Sequence, residues 1–337
     1  MILLLGSTGY IGQAFAAELQ RRQKKFVTLS RSQADYTRFD VLLKFLREMK
    51  PEFVISAAGY TGKPNVDACE LDKAGTLVGN TLLPQTIAHA CAAAGVPWGH
   101  VSSGCIFSGA KIVEQRGGDS AERRKLDLAK GGGLPVAAAR VEKDMTRPEL
   151  HALVERKSPL VQGFTEVDAP NFTFRDPPCS FYSGTKALGE EAMAGIGQSY
   201  IWRLRIPFDE FDNRRNYLSK VQRYAKVYDN VNSISHRADF VKACLDTWEL
   251  RAPFGIYNVT NPGYVTTRHV VEQIEKFLKP ARKFEFWKND AEFYQQAAKT
   301  PRSNCVMDVS KLLSVGVKIR GVEEALEDSL KNWLPEK

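Results

Sequence analysis

Tyr182 and Lys186 stand four positions apart in Phe181-Tyr-Ser-Gly-Thr-Lys186, a spacing that puts both side chains on one face of a helix. A free phenol, with a pKa of about 10, is a poor proton donor or acceptor at neutrality. An ammonium one turn away stabilises the phenolate and brings the group toward useful acid–base work. Alone, this spacing arises often by chance and describes a surface tyrosine beside a solvated lysine. A second stretch, Gly6-Ser-Thr-Gly-Tyr-Ile-Gly12, follows an apolar run and opens an amphipathic helix. A turn this tight needs residues without Cβ, so that backbone can approach a pyrophosphate at the helix N-terminus. A third, Val101-Ser-Ser-Gly-Cys-Ile-Phe107, sets Ser103 and Cys105 two apart where an apolar strand ends. Cysteine is among the most buried residue types. Cys105 is therefore either a small hydrophobe beside a turn or a thiol that shares a site with Ser103.

The glycine turn predicts a dinucleotide site built from Gly6, Thr8, Gly9, Tyr10, Ile11 and Gly12. At the end of the next strand, Ser30 and Arg31 stand where an NAD enzyme usually carries an acid. A hydroxyl and a guanidinium suit a 2′-phosphate, so NADP(H) is the expected cofactor; the plain alternative is a solvated Arg31. Asp40 either caps the following helix or touches the adenine. Ala57, Ala58 and Gly59, small residues after the third strand, leave room for the cofactor.

The elements that must position these groups alternate in a βαβ rhythm. Strands are predicted over 1–5, 25–29, 53–56 and 98–102, and helices over 10–22, 41–50 and 80–94. A helix over 181–194 and a strand over 200–206 follow. The expected fold class is α/β, a Rossmann-type doubly wound parallel sheet with a smaller C-terminal α/β substrate lobe. Residues 1–206 form the NADP(H)-binding domain and 207–337 mainly the substrate lobe, with some later segments returning to the sheet. In the second half, helices are expected over 216–227, 237–251, 267–278 and 322–333, and a strand over 255–260. From 110 to about 160 the periodicity lapses; three glycines (131–133) and charges of both signs suggest an inserted loop or small helical excursion.

Composition narrows the classes. The 337 residues carry a formal charge of +8, with 43% hydrophobic and 26% charged residues, as in a globular protein with an anionic partner. The basic residues are interleaved with acids, which favours a small diphosphate over nucleic acid. The basic run Arg123, Arg124 and Lys125 is the weak case for the latter. No apolar run approaches the roughly 20 residues of a membrane helix, and the first residues lack a cationic leader. Six scattered cysteines without CxxC spacing argue for reduced thiols, no metal and a cytoplasmic protein.

Taken together, the motifs resemble the extended short-chain dehydrogenase/reductases that act on nucleotide sugars. The likeness is strongest to the branch of nucleotide-rhamnose synthase epimerase/reductases and dTDP-4-dehydrorhamnose reductases. It is carried by GSTGYIG (6–12), AAGYTGKPNVDACE (57–70), GCIF (104–107), PNFTF (170–174) and FYSGTKALGEE (181–191). RLRIP (203–207), NRRNYLSKVQRYAKV (213–227), GIYNVTNPG (255–263) and PRSN (301–304) extend it. The resemblance implies Ser103, Tyr182 and Lys186 as the reductase set, Ser103 replacing a more usual threonine. It places Cys105 and Lys220 where the bifunctional branch carries its epimerisation pair. Arg302 matches the residue that grips the diphosphate, and Lys63, Phe107 and Asn216 join it as substrate contacts. Asn80 and Pro207, with Tyr182 and Lys186, complete the implied cofactor set.

The function implied is conversion of a UDP- or dTDP-4-keto-6-deoxyglucose to the β-L-rhamnose nucleotide by 3,5-epimerisation and 4-reduction, in a possible homodimer. A thiol beside the hydroxyl favours this over a 4-reductase alone. A non-catalytic NADP-binding regulatory subunit would be expected to lose part of the Ser-Tyr-Lys set, which this chain keeps. The insert after 109 departs from the family, separating Ser103 from Tyr182 by 79 positions.

Overall fold

Runs such as Ile2–Leu5 and Phe53–Ser56 are buried at every position, the signature of strands covered on both faces. Our computed structural model describes residues 1–63, 65–113, 139–143, 148–156 and 158–336. The glycine run 131–133 and the basic run 123–125 lie outside the described residues. Six parallel strands form the main sheet: β1 (Ile2–Leu5), β2 (Phe26–Leu29), β3 (Phe53–Ser56), β4 (Trp98–Ser103), β5 (Ser199–Leu204) and β6 (Gly255–Asn258). Their order is β6-β5-β4-β3-β1-β2. The order reverses at β1, and the crevice beyond the carboxyl ends of β1 and β3 is where such sheets bind ligands.

Alternation along β1 sorts the core. Ile2 and Leu4 join Phe15, Phe53, Trp202 and Phe240 on one face, while Leu3 and Leu5 join Leu42, Val54, Ile87 and Trp98 on the other, as a period of two requires. Helices α1 (Tyr10–Arg21), α2 (Phe39–Met49), α3 (Leu83–Ala94) and α4 (Phe181–Met193) cover the two faces, each connection crossing to the next parallel strand. The α3 helix starts later than expected because the chain first makes one wide π-helical turn, Val78–Leu82.

The C-terminal half divides. Helix α5 (Tyr217–Arg223), helix α7 (Thr267–Leu278) and helix α8 (Val322–Lys331) build a separate core around Phe208, Leu218, Ile234, Ile274 and Leu326. Helix α6 (Arg237–Glu249) and β6 return to the main sheet, with Phe240, Leu245 and Tyr257 in its core. The α5 helix is shorter than expected: Lys226–Val227 turns extended and pairs with Glu285–Phe286. The insert carries the small helix that was one of its two expected forms, and a sheet that was not expected. Its described parts make an antiparallel sheet, Ala110–Val113 between Ala139–Glu142 and Val161–Gln162, beside a helix Pro148–Glu155. Ala110 and Ile112 face inward onto Leu150, Val154, Val231 and Val306.

Candidate active site

The glycine turn forms a cradle that admits no side chain on its inner side. Gly6 has φ +75°, and a Cβ there would lie 2.6 Å from the Ala58 nitrogen; one on Gly12 would lie 2.0 Å from the Gly6 carbonyl oxygen. Helix α1 starts at Gly9 with no side-chain cap, which leaves its first N–H groups and positive dipole end free for a phosphate. Thr8 and Ile11 lie in this turn, whereas the Tyr10 ring is occupied by the Arg237 guanidinium 4.2 Å above it. Ser30 and Arg31 follow β2, Arg31 exposed and without a carboxylate within 4 Å among the described residues. Asp40 is exposed in the first turn of α2 and paired with Arg38 at 2.8 Å, so it does not cap the helix. Ala57, Ala58 and Gly59 continue from β3, and Pro207 lies beside the end of β5 in a short ladder with Ser235.

Asn80 is 1% exposed. Its amide donates to the Tyr60 carbonyl (2.9 Å) and Thr185 Oγ1 (3.3 Å) and accepts from Tyr60 N–H (3.0 Å). It clamps the loop after β3 onto α4 rather than offering a free group to a cofactor. That clamp brings Lys186 to the cradle: a Cβ on Gly59 would sit 3.4 Å from Lys186 Nζ and 3.5 Å from Asn80 Oδ1.

Ser103, Cys105, Tyr182 and Lys186 converge at the carboxyl end of β4. Ser180 caps α4 through its side chain, and Glu70 accepts the Phe181 N–H at 2.7 Å, fixing the first turn that carries Tyr182. Tyr182 and Lys186 are both buried. Burial pushes the Tyr182 phenol up, the neighbouring Cys105 sulfur adds to this, and a hydrogen bond with Ser103 opposes it. Burial pushes the Lys186 amine down to about 8 against the opposing charge of Glu190. The downward shift expected for the phenol from Tyr-Lys spacing is thus not found, because desolvation pushes it the other way. Ser103 Oγ accepts the Cys105 N–H at 3.1 Å, which orders the turn, and the Cys105 side chain is half-buried.

The substrate-side residues divide. Arg302 lines a cavity of about 430 Å³ with Tyr228, Tyr294, Phe172 and Lys143, while its guanidinium forks onto Asp67 at 2.8 and 2.7 Å. Lys220 is on α5, held below its ordinary value by burial and by the Arg215 charge. Arg215 in turn donates to Thr61 Oγ1 and the Gly62 carbonyl, both at 3.1 Å, so the loop that carries exposed Lys63 is tied to the lobe. Two expected substrate contacts are not available. Phe107 is fully buried, stacked on Phe164 at 4.7 Å beneath Arg203. Asn216 is also fully buried: it caps α5 and donates to Asp209 and Phe211, so it braces the helix that bears Lys220.

Sequence reasoning passed over Arg205 and Glu190. Arg205 is 2% exposed, and its Nη1 donates to Cys105 Sγ at 2.9 Å. Arg203 pairs with Glu190 of α4 at 2.7 Å, and Ser102 Oγ donates to the same carboxylate at 2.6 Å. The available signal was two arginines spaced i, i+2 at the end of an apolar strand, where a charge is expensive unless something requires it. Among the described residues, no group of His, Cys, Asp and Glu is placed to hold a metal, and all six cysteines are free.

A phenol and an amine at the carboxyl edge of a parallel sheet, facing a glycine cradle, form a site able to do acid–base chemistry beside a nucleotide. The family described as the RmlD substrate binding domain matches residues 1–122. A bifunctional dTDP-4-dehydrorhamnose 3,5-epimerase/dTDP-4-dehydrorhamnose reductase of Arabidopsis thaliana is 29% identical over 326 residues, 96% of this chain and 90% of that one. A trifunctional UDP-glucose 4,6-dehydratase/UDP-4-keto-6-deoxy-D-glucose 3,5-epimerase/UDP-4-keto-L-rhamnose-reductase of the same plant is 28% identical; the chain spans 40% of its length. The solved UDP-rhamnose synthase of Acanthamoeba polyphaga mimivirus has the same fold, with a TM-score of 0.75, 21% identity and 98% of each chain covered. So does a dTDP-4-dehydrorhamnose reductase of Bacillus anthracis in complex with NADP, with a TM-score of 0.67 and 16% identity, covering 98% of this chain and 96% of that one. The chain is similar to RmlD-type reductases at its N-terminal third and to rhamnose-forming epimerase/reductases along nearly its whole length. No helix among the described residues is long and apolar enough to cross a membrane.

Proposed function

We propose that this chain is an NADPH-dependent, cytoplasmic enzyme that epimerises a nucleotide-diphospho-4-keto-6-deoxyglucose at C3 and C5 and then reduces C4, yielding the β-L-rhamnose nucleotide. The observation that carries the reading is the half-buried Cys105 sulfur beside the Tyr182 phenol, a thiol that a simple carbonyl reductase does not need. Relatives named for both activities over 96% of the chain support it. The glycine cradle, with Ser30 and Arg31 at the 2′-phosphate, would hold NADPH, which when bound would supply the hydride for C4.

The protein's own groups do the rest. The C4 ketone acidifies the protons on C3 and C5. One of Cys105 and Lys220 takes a proton, the C–H electron pair enters the enolate, and the other group returns a proton to the opposite face. Ser103 holds the C4 oxygen and Tyr182, kept protonated by burial, donates its proton to that oxygen as C4 is reduced. Arg302 and Lys63 bind the diphosphate. The test is a panel of wild type, Tyr182→Phe and Cys105→Ala. Tyr182→Phe lowers NADPH oxidation on any ketone by about 10²–10⁴-fold. Cys105→Ala stops solvent-deuterium incorporation at C3 and C5 but still reduces a ketone supplied already epimerised. Normal deuterium incorporation by Cys105→Ala removes the epimerase assignment.

A further inference from the structure

A fully buried guanidinium is expensive unless a carboxylate balances it. The neighbouring Arg203 has Glu190 at 2.7 Å, but Arg205 has no carboxylate within 4 Å among the described residues. Its Nη2 donates to Asn232 Oδ1 at 2.6 Å and to the Ser303 carbonyl, and its Nη1 donates to Cys105 Sγ at 2.9 Å. Its Nε is buried without a partner. The fork is therefore held from one side by neutral oxygens and aimed from the other at a sulfur. Asn232 is itself fixed, accepting the Cys305 N–H at 3.1 Å and donating to Asn304 Oδ1 at 3.0 Å. Burial disfavours the charge on Arg205, yet the sulfurs of Cys305 and Cys105 hold the group above its ordinary value.

We propose that Arg205 is the positioning residue of the Cys105 thiol: it fixes the sulfur toward the sugar and supplies the counter-charge for the anion left on sulfur whenever the thiol gives up its proton. The contact orients the accepting sulfur and balances that charge without a carboxylate, which would compete for the guanidinium. The inference rests on the epimerase reading for its purpose but not for its test, because thiol reactivity is measured without substrate.

The test uses the full-length protein and three variants. Arg205→Met removes charge and hydrogen bonds, Arg205→Gln removes the charge and keeps a shorter amide donor, and Arg205→Lys keeps a cation. Alkylation of Cys105 by iodoacetamide at pH 7, followed on the Cys105 peptide by mass spectrometry, falls at least tenfold in Arg205→Met and recovers to within threefold of wild type in Arg205→Lys. Deuterium incorporation at C3 and C5 falls in parallel. If Arg205→Met does not fold, Arg205→Gln is read the same way. Wild-type alkylation in the neutral variant that folds overturns the proposal. Normal deuterium incorporation by Cys105→Ala, with alkylation still dependent on Arg205, overturns the epimerase reading and leaves the Arg205–Cys105 link standing.

Discussion

Tyr182 and Lys186 are both withdrawn from water, and burial acts on them in opposite senses. The phenol is pushed up and stays a proton donor, while the amine is pushed down to about 8. An amine with that value is charged at pH 7 and loses its charge as pH rises through 8. If the ammonium orients the cofactor and polarises the phenol, the rate of ketone reduction has an alkaline limb centred near pH 8. Lys186→Arg, whose guanidinium stays charged, works more slowly but loses that limb. A rate profile flat to pH 9.5 in wild type contradicts this account of Lys186. The same scale separates residues that face the site from residues that merely share its motifs. Asn80, Phe107 and Asn216 lie in motif-rich stretches, yet each is buried and its side chain is occupied by contacts within the protein.

Helix α4 is the element on which the site depends, and it is pinned at both ends. Glu70 holds the Phe181 N–H at its start, and Glu190 in its later turns receives Arg203 and Ser102 from the sheet. Both members of the Glu190–Arg203 pair are under 10% exposed. Removing one partner of a buried pair costs about 3–5 kcal/mol, because the other charge is left unbalanced. Glu190→Leu should therefore lose stability on that order in denaturant titration and also displace Tyr182; a loss below about 1 kcal/mol refutes the pinning. What was legible in the sequence follows the reach of the rules used. The glycine turn, the strand–helix alternation and the Tyr-Lys spacing are local, and they led to the sheet and to α4. The pairing of Ala110–Val113 with Ala139–Glu142 joins distant segments, and no periodicity over 110–160 announced it. Arg205 was hidden for the same reason: its partners Cys105, Asn232 and Ser303 meet only in the fold.

Across the whole molecule, the lobe and the sheet are joined by a charged knot around the start of α6. His236 lies 3.4 Å from Glu210 and 3.5 Å from Asp239, and Arg320 reaches Asp239 at 2.7 Å. Burial would lower His236, but Asp239 and Glu210 outweigh it and the imidazole is raised. A raised histidine contributes stability that is present in full below its unfolded value, about 6.5, and is lost as pH rises through the folded value. His236→Gln should consequently lower Tm more at pH 6 than at pH 9; an equal loss at both assigns the residue to packing alone.

At this scale the account makes one demand, that a single chain perform both the inversion and the reduction. The direct measurement is to give wild-type protein NADPH and UDP- or dTDP-4-keto-6-deoxyglucose in D₂O with no other enzyme present, and to analyse the sugar by NMR. The account predicts NADPH consumption and a rhamnose nucleotide carrying deuterium at both C3 and C5. Turnover only after a separate 3,5-epimerase is added, or a product without deuterium at those carbons, contradicts it.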